Sequence, residues 1–179
     1  MTSPEGSAEA LPGLDLAALT GYLQGTVPGL LSGPLSGRLI AGGRSNLTYL
    51  VGDGVGSWVV RRPPLGHVLE TAHDMAREHR VMAALRDSEV PVPEMVALCR
   101  DPDVLGAPFY VMTFVDGTVF RTREEMEQVR PTDAEAVADG LVDTLARLHA
   151  VEPAAVGLAD LGRPDGYLER QVRRWGKQL

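Results

Sequence analysis

Residues 47–62 read Leu-Thr-Tyr-Leu-Val-Gly-Asp-Gly-Val-Gly-Ser-Trp-Val-Val-Arg-Arg. Two runs rich in β-branched and aromatic residues flank the turn Gly52–Gly54, a pattern typical of a β-hairpin. A further extended run, Arg38–Ile40, precedes the hairpin. The chain from Gly37 to Arg62 is therefore predicted to form three consecutive antiparallel strands.

The sequence after the hairpin predicts one helix and two more strands. Two prolines end the third strand, and Thr71–Leu85 follows with apolar residues at helical spacing. Val90–Pro93 must be extended because each proline restricts the residue before it. It leads into predicted strands at Met95–Cys99 and Phe109–Phe114, joined by a polar turn at Asp101–Asp103. We therefore expect an α+β unit with a five-stranded antiparallel sheet and one packed helix.

Helices are predicted on both sides of this unit. Leu14–Leu23 has helical spacing and would brace the sheet after a polar tail. Thr132 and Glu135 have the spacing of a capping box, which predicts a helix with Thr132 as its N-cap. A last helix is predicted from about Asp165. The second half of the chain is therefore expected to be helical.

Composition excludes several classes of partner. The chain has 17 Lys and Arg against 24 Asp and Glu, a formal net charge of -7, which argues against nucleic acid and favours a small-molecule partner. The first ten residues lack the features of an export signal, and no apolar run approaches the roughly 20 residues that cross a bilayer. Cys99 is the only cysteine, so no internal disulfide is expected and the cytoplasm is the expected compartment.

Glu78 lies on the apolar stripe of the helix predicted after the hairpin. An unpaired carboxylate there would lose its hydration at a cost of several kcal/mol, so a basic partner is expected on the adjacent sheet. Strand alternation places Arg61 and Arg62 on opposite faces; Arg61 is predicted to meet Glu78 and Arg62 to face solvent. Such a pair holds ATP phosphates in kinases, but a purely structural salt bridge or a Glu at the helix edge are alternatives.

Two turns could contact a ligand through their backbones. The turn Gly42–Asn46 would let N–H groups approach a phosphate closely, although a plain hairpin turn explains the same residues. The apolar strand predicted from Phe109 is followed by a turn at Asp116. Its end could offer backbone groups to a flat heterocycle, although a buried strand with its turn explains this pattern too. Neither segment decides the function alone.

Five short segments occur together in one order along the chain. They are Gly42–Tyr49, Val59–Pro64, Arg77–Met82, Val90–Pro93 and Pro108–Met112. In this order they resemble the aminoglycoside phosphotransferase and choline-kinase-like family, and most closely the branch related to the kinase-like domain of acyl-CoA dehydrogenase fusion proteins. The likeness extends from about Leu39 to Leu179. It implies a protein-kinase-like fold, in which a sheet lobe clasps ATP and a helical lobe holds the substrate and the catalytic loop.

The resemblance implies roles for residues on the phosphate side of a nucleotide. The loop with Gly43, Ser45 and Asn46 would cover the phosphates. Arg61, paired with Glu78, would contact the α- and β-phosphates. The family usually has lysine at the position of Arg61, and a guanidinium is a planar fork rather than a compact point charge. Phosphate contact is therefore expected with a changed geometry.

The resemblance also implies an adenine side and a cofactor. The backbones of Thr113 and Val115 would bind the base, with Met112 at the back of the pocket. The cofactor would be ATP or GTP, with Mg²⁺ in the full-length family member. Its other partner would be a small-molecule hydroxyl compound, for which an acyl-CoA-linked compound is one candidate.

One departure from the family concerns catalysis. Family members use a His-Gly-Asp loop with an Asn five residues after the Asp, whereas Asn46 is the only asparagine here. The chain is therefore expected to be an inactive N-terminal fragment of an ATP-dependent phosphotransferase, without catalytic residues or metal ligands. Alternatives are a complete pseudokinase-like nucleotide-binding or regulatory module, or an unrelated α+β domain. The expected parts are a tail with a brace helix (1–36), a nucleotide-binding lobe (37–115) and the start of a helical lobe (116–179).

Overall fold

The structure is a computed structural model that describes residues 11–40, 46–66, 74–120, 122–162 and 165–176. Within these ranges the chain forms five strands and six helices. The strands are β1 (Ser36–Leu39), β2 (Leu47–Gly52), β3 (Ser57–Arg62), β4 (Met95–Cys99) and β5 (Phe109–Thr113). The helices are α1 (Leu16–Thr26), α2 (Met75–Ala84), α3 (Pro102–Leu105), α4 (Arg123–Glu127), α5 (Pro131–Ala150) and α6 (Tyr167–Trp175).

The strands form one antiparallel sheet in the order β1-β2-β3-β5-β4, which confirms the predicted five-stranded fold. The β2–β3 hairpin closes through Asp53, whose carboxylate accepts hydrogen bonds from the amides of Val55 and Gly56, and also from Ser32 in the preceding loop. These bonds stabilise the charged form and lower the pKa of Asp53 to about 2. One side chain thus fixes both the turn and the approach to β1.

One face of the sheet carries the hydrophobic core. Asp15 caps the start of α1 by accepting from the amides of Ala17 and Ala18, and Leu19 and Leu23 on this helix are fully buried. The core side chains of the sheet face this helix, since alternate strand residues point the same way. They are Tyr49, Val51, Trp58, Val60, Ala97, Cys99, Phe109 and Val111. Residues of the opposite face are left to contact α2.

Arg62 lies on the core side and is only 4% exposed, so the prediction that it faces solvent is wrong. Its guanidinium donates to the carbonyl oxygens of Leu105 (2.8 Å), Gly13 and Pro63 (3.3 Å). The predicted polar turn between β4 and β5 is in fact the short helix α3, and Leu105 is its last residue. Unpaired carbonyls at the C-terminal end of a helix attract a cation. The partners of Arg62 are therefore backbone groups, and no acidic residue in the sequence indicates them.

A methyl group at Gly13 would disturb this contact. Gly13 has φ +77°, and a Cβ there would lie 2.6 Å from Arg62 Nη1 and 2.7 Å from a Leu65 methyl. Gly13→Ala is therefore expected to lower the free energy of unfolding by about 2 to 4 kcal/mol, measured in urea, through left-handed strain and overpacking together. Gly29→Ala is the control, because Gly29 has φ +82° with no neighbour within 4 Å, so only the strain remains. Equal losses would show that Arg62 moves aside.

The helices after β5 differ from the prediction at their starts. The helix α4 was not predicted, and it carries the capping box that was expected further on, formed by Thr122 and Glu125. The N-cap of α5 is Arg130 rather than Thr132, because Pro131 suits the first helical position, where its missing N–H leaves no bond unmade. Neither α5 nor α6 has a buried residue, and large apolar side chains such as Leu141 (70%) and Leu168 (76%) are exposed.

Candidate functional site

The pair of Arg61 and Glu78 lies on the sheet face that meets α2. Asp74 caps this helix by accepting from the amide of Arg77, which fixes Glu78 one turn from the start. Arg61 on β3 donates through Nε to Glu78 Oε2 at 3.0 Å, and the two side chains are 31% and 35% exposed. The pair predicted from the apolar stripe is therefore present, and it remains open to solvent on one side.

Two neutral groups also donate to Glu78. The hydroxyl of Tyr110 on β5 donates to Oε2 at 3.0 Å, and Asn46 Nδ2 donates to Oε1 at 3.2 Å. Arg61 Nη1 in turn donates to Thr48 Oγ1 at 3.3 Å. Both carboxylate oxygens thus accept from groups on other elements, which fixes Glu78 in one orientation.

Sequence reasoning did not find Tyr110 or Thr48. Both are the direct cross-strand neighbours of Arg61, Thr48 on β2 and Tyr110 on β5. The register of the predicted hairpin could have placed Thr48 opposite Arg61, since β2 and β3 are consecutive. Tyr110 could not be placed in this way, because β3 and β5 are not consecutive in the chain. For Tyr110 the missing signal was therefore long-range strand pairing rather than residue type.

Tyr110 is buried at 2% exposure, and its environment keeps its proton in place. Burial and the nearby charge of Glu78 raise the pKa of Tyr110 well above its usual value. The ring also contacts His79 edge to face, with centroids 6.3 Å apart. The hydroxyl therefore remains a donor to Glu78 throughout the physiological range.

Burial, with a smaller contribution from the positive charge of Arg100, lowers the pKa of His79 from its usual 6.5. Below pH 6.5 the unfolded chain therefore binds a proton at this position more readily than the folded chain does. Stability is expected to fall as the pH falls from 6.5 towards the folded pKa. The substitution His79→Phe keeps a ring beside Tyr110 and should flatten this dependence, measured as urea midpoints at pH 7.5 and 5.5. An unchanged pH slope would contradict the assignment.

The residues expected at the adenine end lie where β5 ends. Met112 is half-buried opposite Val59 of β3, on the same face as Tyr110. The N–H of Thr113 donates to the carbonyl of Glu94 at 2.9 Å. Val115 is 67% exposed, and in the part of the chain that the structure describes its N–H makes no backbone hydrogen bond. The segment from Tyr110 to Val115 thus runs from the contacts of Glu78 to an exposed residue whose N–H has no backbone partner among the described residues.

Of the predicted loop that would cover phosphates, only Asn46 is described; Gly43 and Ser45 lie outside the described residues. The side chain of Asn46 is buried against Glu78. Within the described ranges no group of three or more His, Cys, Asp or Glu residues could hold a metal ion. Glu78 itself already accepts three hydrogen bonds, from Arg61, Tyr110 and Asn46.

The helix that carries Glu78 is also tied to the second half of the chain. Arg80 donates through Nη1 to Asp160 Oδ2 at 3.0 Å and through Nη2 to the carbonyl of Gly157 at 2.7 Å. Asp160 and Gly157 lie in the segment after α5. Because Arg80 is two residues from Glu78, this contact limits how far α2 can swing away from the sheet.

Comparisons with known proteins agree on one family. A model of the phosphotransferase enzyme family matches residues 36–179. The chain is 34% identical to acyl-CoA dehydrogenase family member 10 of Mus musculus and 37% identical to family member 11 of Gallus gallus, over 90% and 92% of its length. It covers only 15% and 21% of those proteins.

A solved structure extends the likeness to the fold. The crystal structure of a Ralstonia eutropha protein assigned as an aminoglycoside phosphotransferase superposes with a TM-score of 0.75 at 36% identity, over 92% of this chain and 46% of that one. The chain thus spans about half of that protein. These matches exclude an unrelated α+β domain. In the described ranges, no helix combines the length and apolar character needed to cross a bilayer.

Proposed function

Because the chain belongs to the phosphotransferase enzyme family, we propose that its five-stranded lobe binds a nucleoside triphosphate with Arg61 on the phosphates. The observation that carries the proposal is the way Arg61 is held. Its Nε is bound to Glu78 and its Nη1 to Thr48, while Nη2 has no hydrogen-bond partner among the described residues. A guanidinium fixed on two sides with one free edge is suited to an anionic ligand.

The far end of β5 supports a nucleoside rather than a bare anion. Tyr110, beside Arg61, is three residues from Thr113, a distance of about 10 Å along a strand. Met112 lies between them, on the same face as Tyr110. Val115 follows, and its N–H has no backbone partner among the described residues. The N–H of Thr113 is already bound to Glu94, which leaves the N–H of Val115 as the backbone donor at this end. A cation at one end and a backbone donor with an apolar side chain at the other match a phosphate and a heterocyclic base.

We propose further that this lobe is part of an ATP-dependent phosphotransferase, which transfers phosphate to the hydroxyl group of a small molecule. The names of the relatives make an acyl-CoA-linked hydroxyl compound the acceptor class we favour. Transfer itself needs a base and a magnesium site, and this sequence has no His-Gly-Asp loop. The proposal for these 179 residues is therefore nucleotide binding without turnover.

Calorimetric titration with ATP, GTP, AMP and adenosine tests the proposal. We expect measurable affinity for the triphosphates, which falls as phosphates are removed and as salt is added, because the phosphates meet Arg61. Equal affinity for ATP and adenosine, or no binding of any of the four, would overturn it. The difference between ATP and GTP would identify the base that the end of β5 accepts.

A further inference from the structure

We propose that Tyr110 is a positioning residue, which holds Glu78 in place so that Arg61 keeps its free edge towards the phosphates. The inference rests on the proposed nucleotide function. Glu78 Oε2 accepts from both Tyr110 and Arg61, each at 3.0 Å. One carboxylate oxygen thus accepts from a neutral donor and from a cation. The orientation of Glu78 is therefore set by Tyr110 as well as by Arg61.

The three donors to Glu78 come from three different strands or loops. Arg61 is on β3, Tyr110 is on β5 and Asn46 immediately precedes β2, while Glu78 itself is on α2. The hydroxyl of Tyr110 is delivered by a fully buried ring in a central strand, so it has little freedom to follow Glu78 if that side chain moves. Tyr110 therefore acts as the fixed reference for the carboxylate.

Arg61 contacts Glu78 through Nε alone, not through a fork of two nitrogens. A carboxylate without its neutral donors would rotate towards a two-pronged contact with the guanidinium, because bidentate pairs are the stronger arrangement. Such a contact would occupy the edge of Arg61 that is free in this structure. The hydroxyl of Tyr110 keeps Oε2 where only Nε reaches it, and it thereby leaves Nη2 for the ligand.

Tyr110→Phe keeps the buried ring and removes only this hydroxyl. We expect ATP to bind about 10-fold more weakly to this variant, which corresponds to the loss of one hydrogen bond to a charged group. Adenosine affinity should not change, because adenosine has no phosphate for Arg61 to contact. In an Arg61→Met background Tyr110→Phe should have no further effect on ATP affinity, since the group it positions is gone.

Tyr49→Phe is the matched control. Tyr49 is equally buried but lies on the opposite face of the sheet, where its hydroxyl donates to the carbonyl of Pro12. Its loss should lower the thermal midpoint without changing ATP affinity, which is the behaviour of a merely structural tyrosine. Tyr110→Phe should differ from it in ATP affinity.

The outcomes separate the two proposals. If Arg61→Met weakens ATP binding while Tyr110→Phe leaves it unchanged, the positioning role is wrong and the nucleotide site stands. Equal weakening by Tyr110→Phe with and without Arg61 would also overturn the positioning role, because the hydroxyl would then act independently of the guanidinium. If Arg61→Met binds ATP as the wild type does, the phosphate site itself is wrong.

Discussion

Replacement of Arg61 by methionine is expected to weaken ATP binding by about 10- to 100-fold, the range for loss of hydrogen bonds to a charged group. Methionine keeps the unbranched apolar stem of the side chain but has no donor for a phosphate. The free energy of unfolding should change by only about 1 kcal/mol, because the pair with Glu78 is partly solvated and Tyr110 and Asn46 still donate to the carboxylate. Calorimetry with ATP and urea unfolding measure the two effects.

Two further variants sharpen this test. Arg61→Lys keeps the charge but has a single nitrogen, whereas arginine binds Glu78 and Thr48 through two nitrogens and has a third for a ligand. We therefore expect an ATP affinity between those of the wild type and Arg61→Met. Arg123→Met removes the same formal charge from α4, where Arg123 is exposed and pairs with Glu127. It should leave ATP affinity unchanged. Equal effects of Arg61→Met and Arg123→Met would mean that net charge alone, and not the site, determines affinity.

The sheet could be predicted from the sequence because its signals are local. The hairpin β2–β3 has alternating residues around a glycine turn, and the predicted bounds of β4 agree with the structure at both ends. The start of α5 was wrong because Thr132 and Glu135 have capping-box spacing, yet Pro131 already occupies the first helical turn. Spacing alone does not show which of two nearby residues, Arg130 or Thr132, is the N-cap.

The candidate site could be predicted from the sequence only where a residue type did not suit its position in a secondary-structure pattern. Glu78 interrupts an apolar stripe, and that anomaly was enough to infer a cation on the sheet. Tyr110 contradicts nothing, since an aromatic residue is ordinary in a central strand. Its role arises from the pairing of β3 with β5, which places it beside Arg61. A hydrogen-bond network made of ordinary residues therefore needs the strand order before it can be recognised.

Strand alternation places Arg61 and Arg62 on opposite faces of the sheet, in two different environments. The first faces α2 with a free edge, and the second is buried on the core side against backbone carbonyls. The same residue type in neighbouring positions thus provides a candidate ligand contact and an internal tether. Substitutions at the two positions should have opposite signatures, one in affinity and the other in stability.

Replacement of Arg62 by methionine is expected to lower the free energy of unfolding by about 2 to 4 kcal/mol, because buried carbonyl groups lose their donor. The carbonyls of Leu105 and Gly13 would then face an apolar side chain, and the N-terminal loop would lose its tether to α3. Urea unfolding, followed through the buried Trp58, measures the loss.

Arg62→Lys should retain part of this stability, since an ammonium can reach one carbonyl but not the full set. ATP affinity of the folded variants should be unchanged, because Arg62 faces away from α2. A more stable methionine variant would contradict this account. It would show that the cost of burying the guanidinium exceeds what its hydrogen bonds to the carbonyls return, as happens for some buried charges.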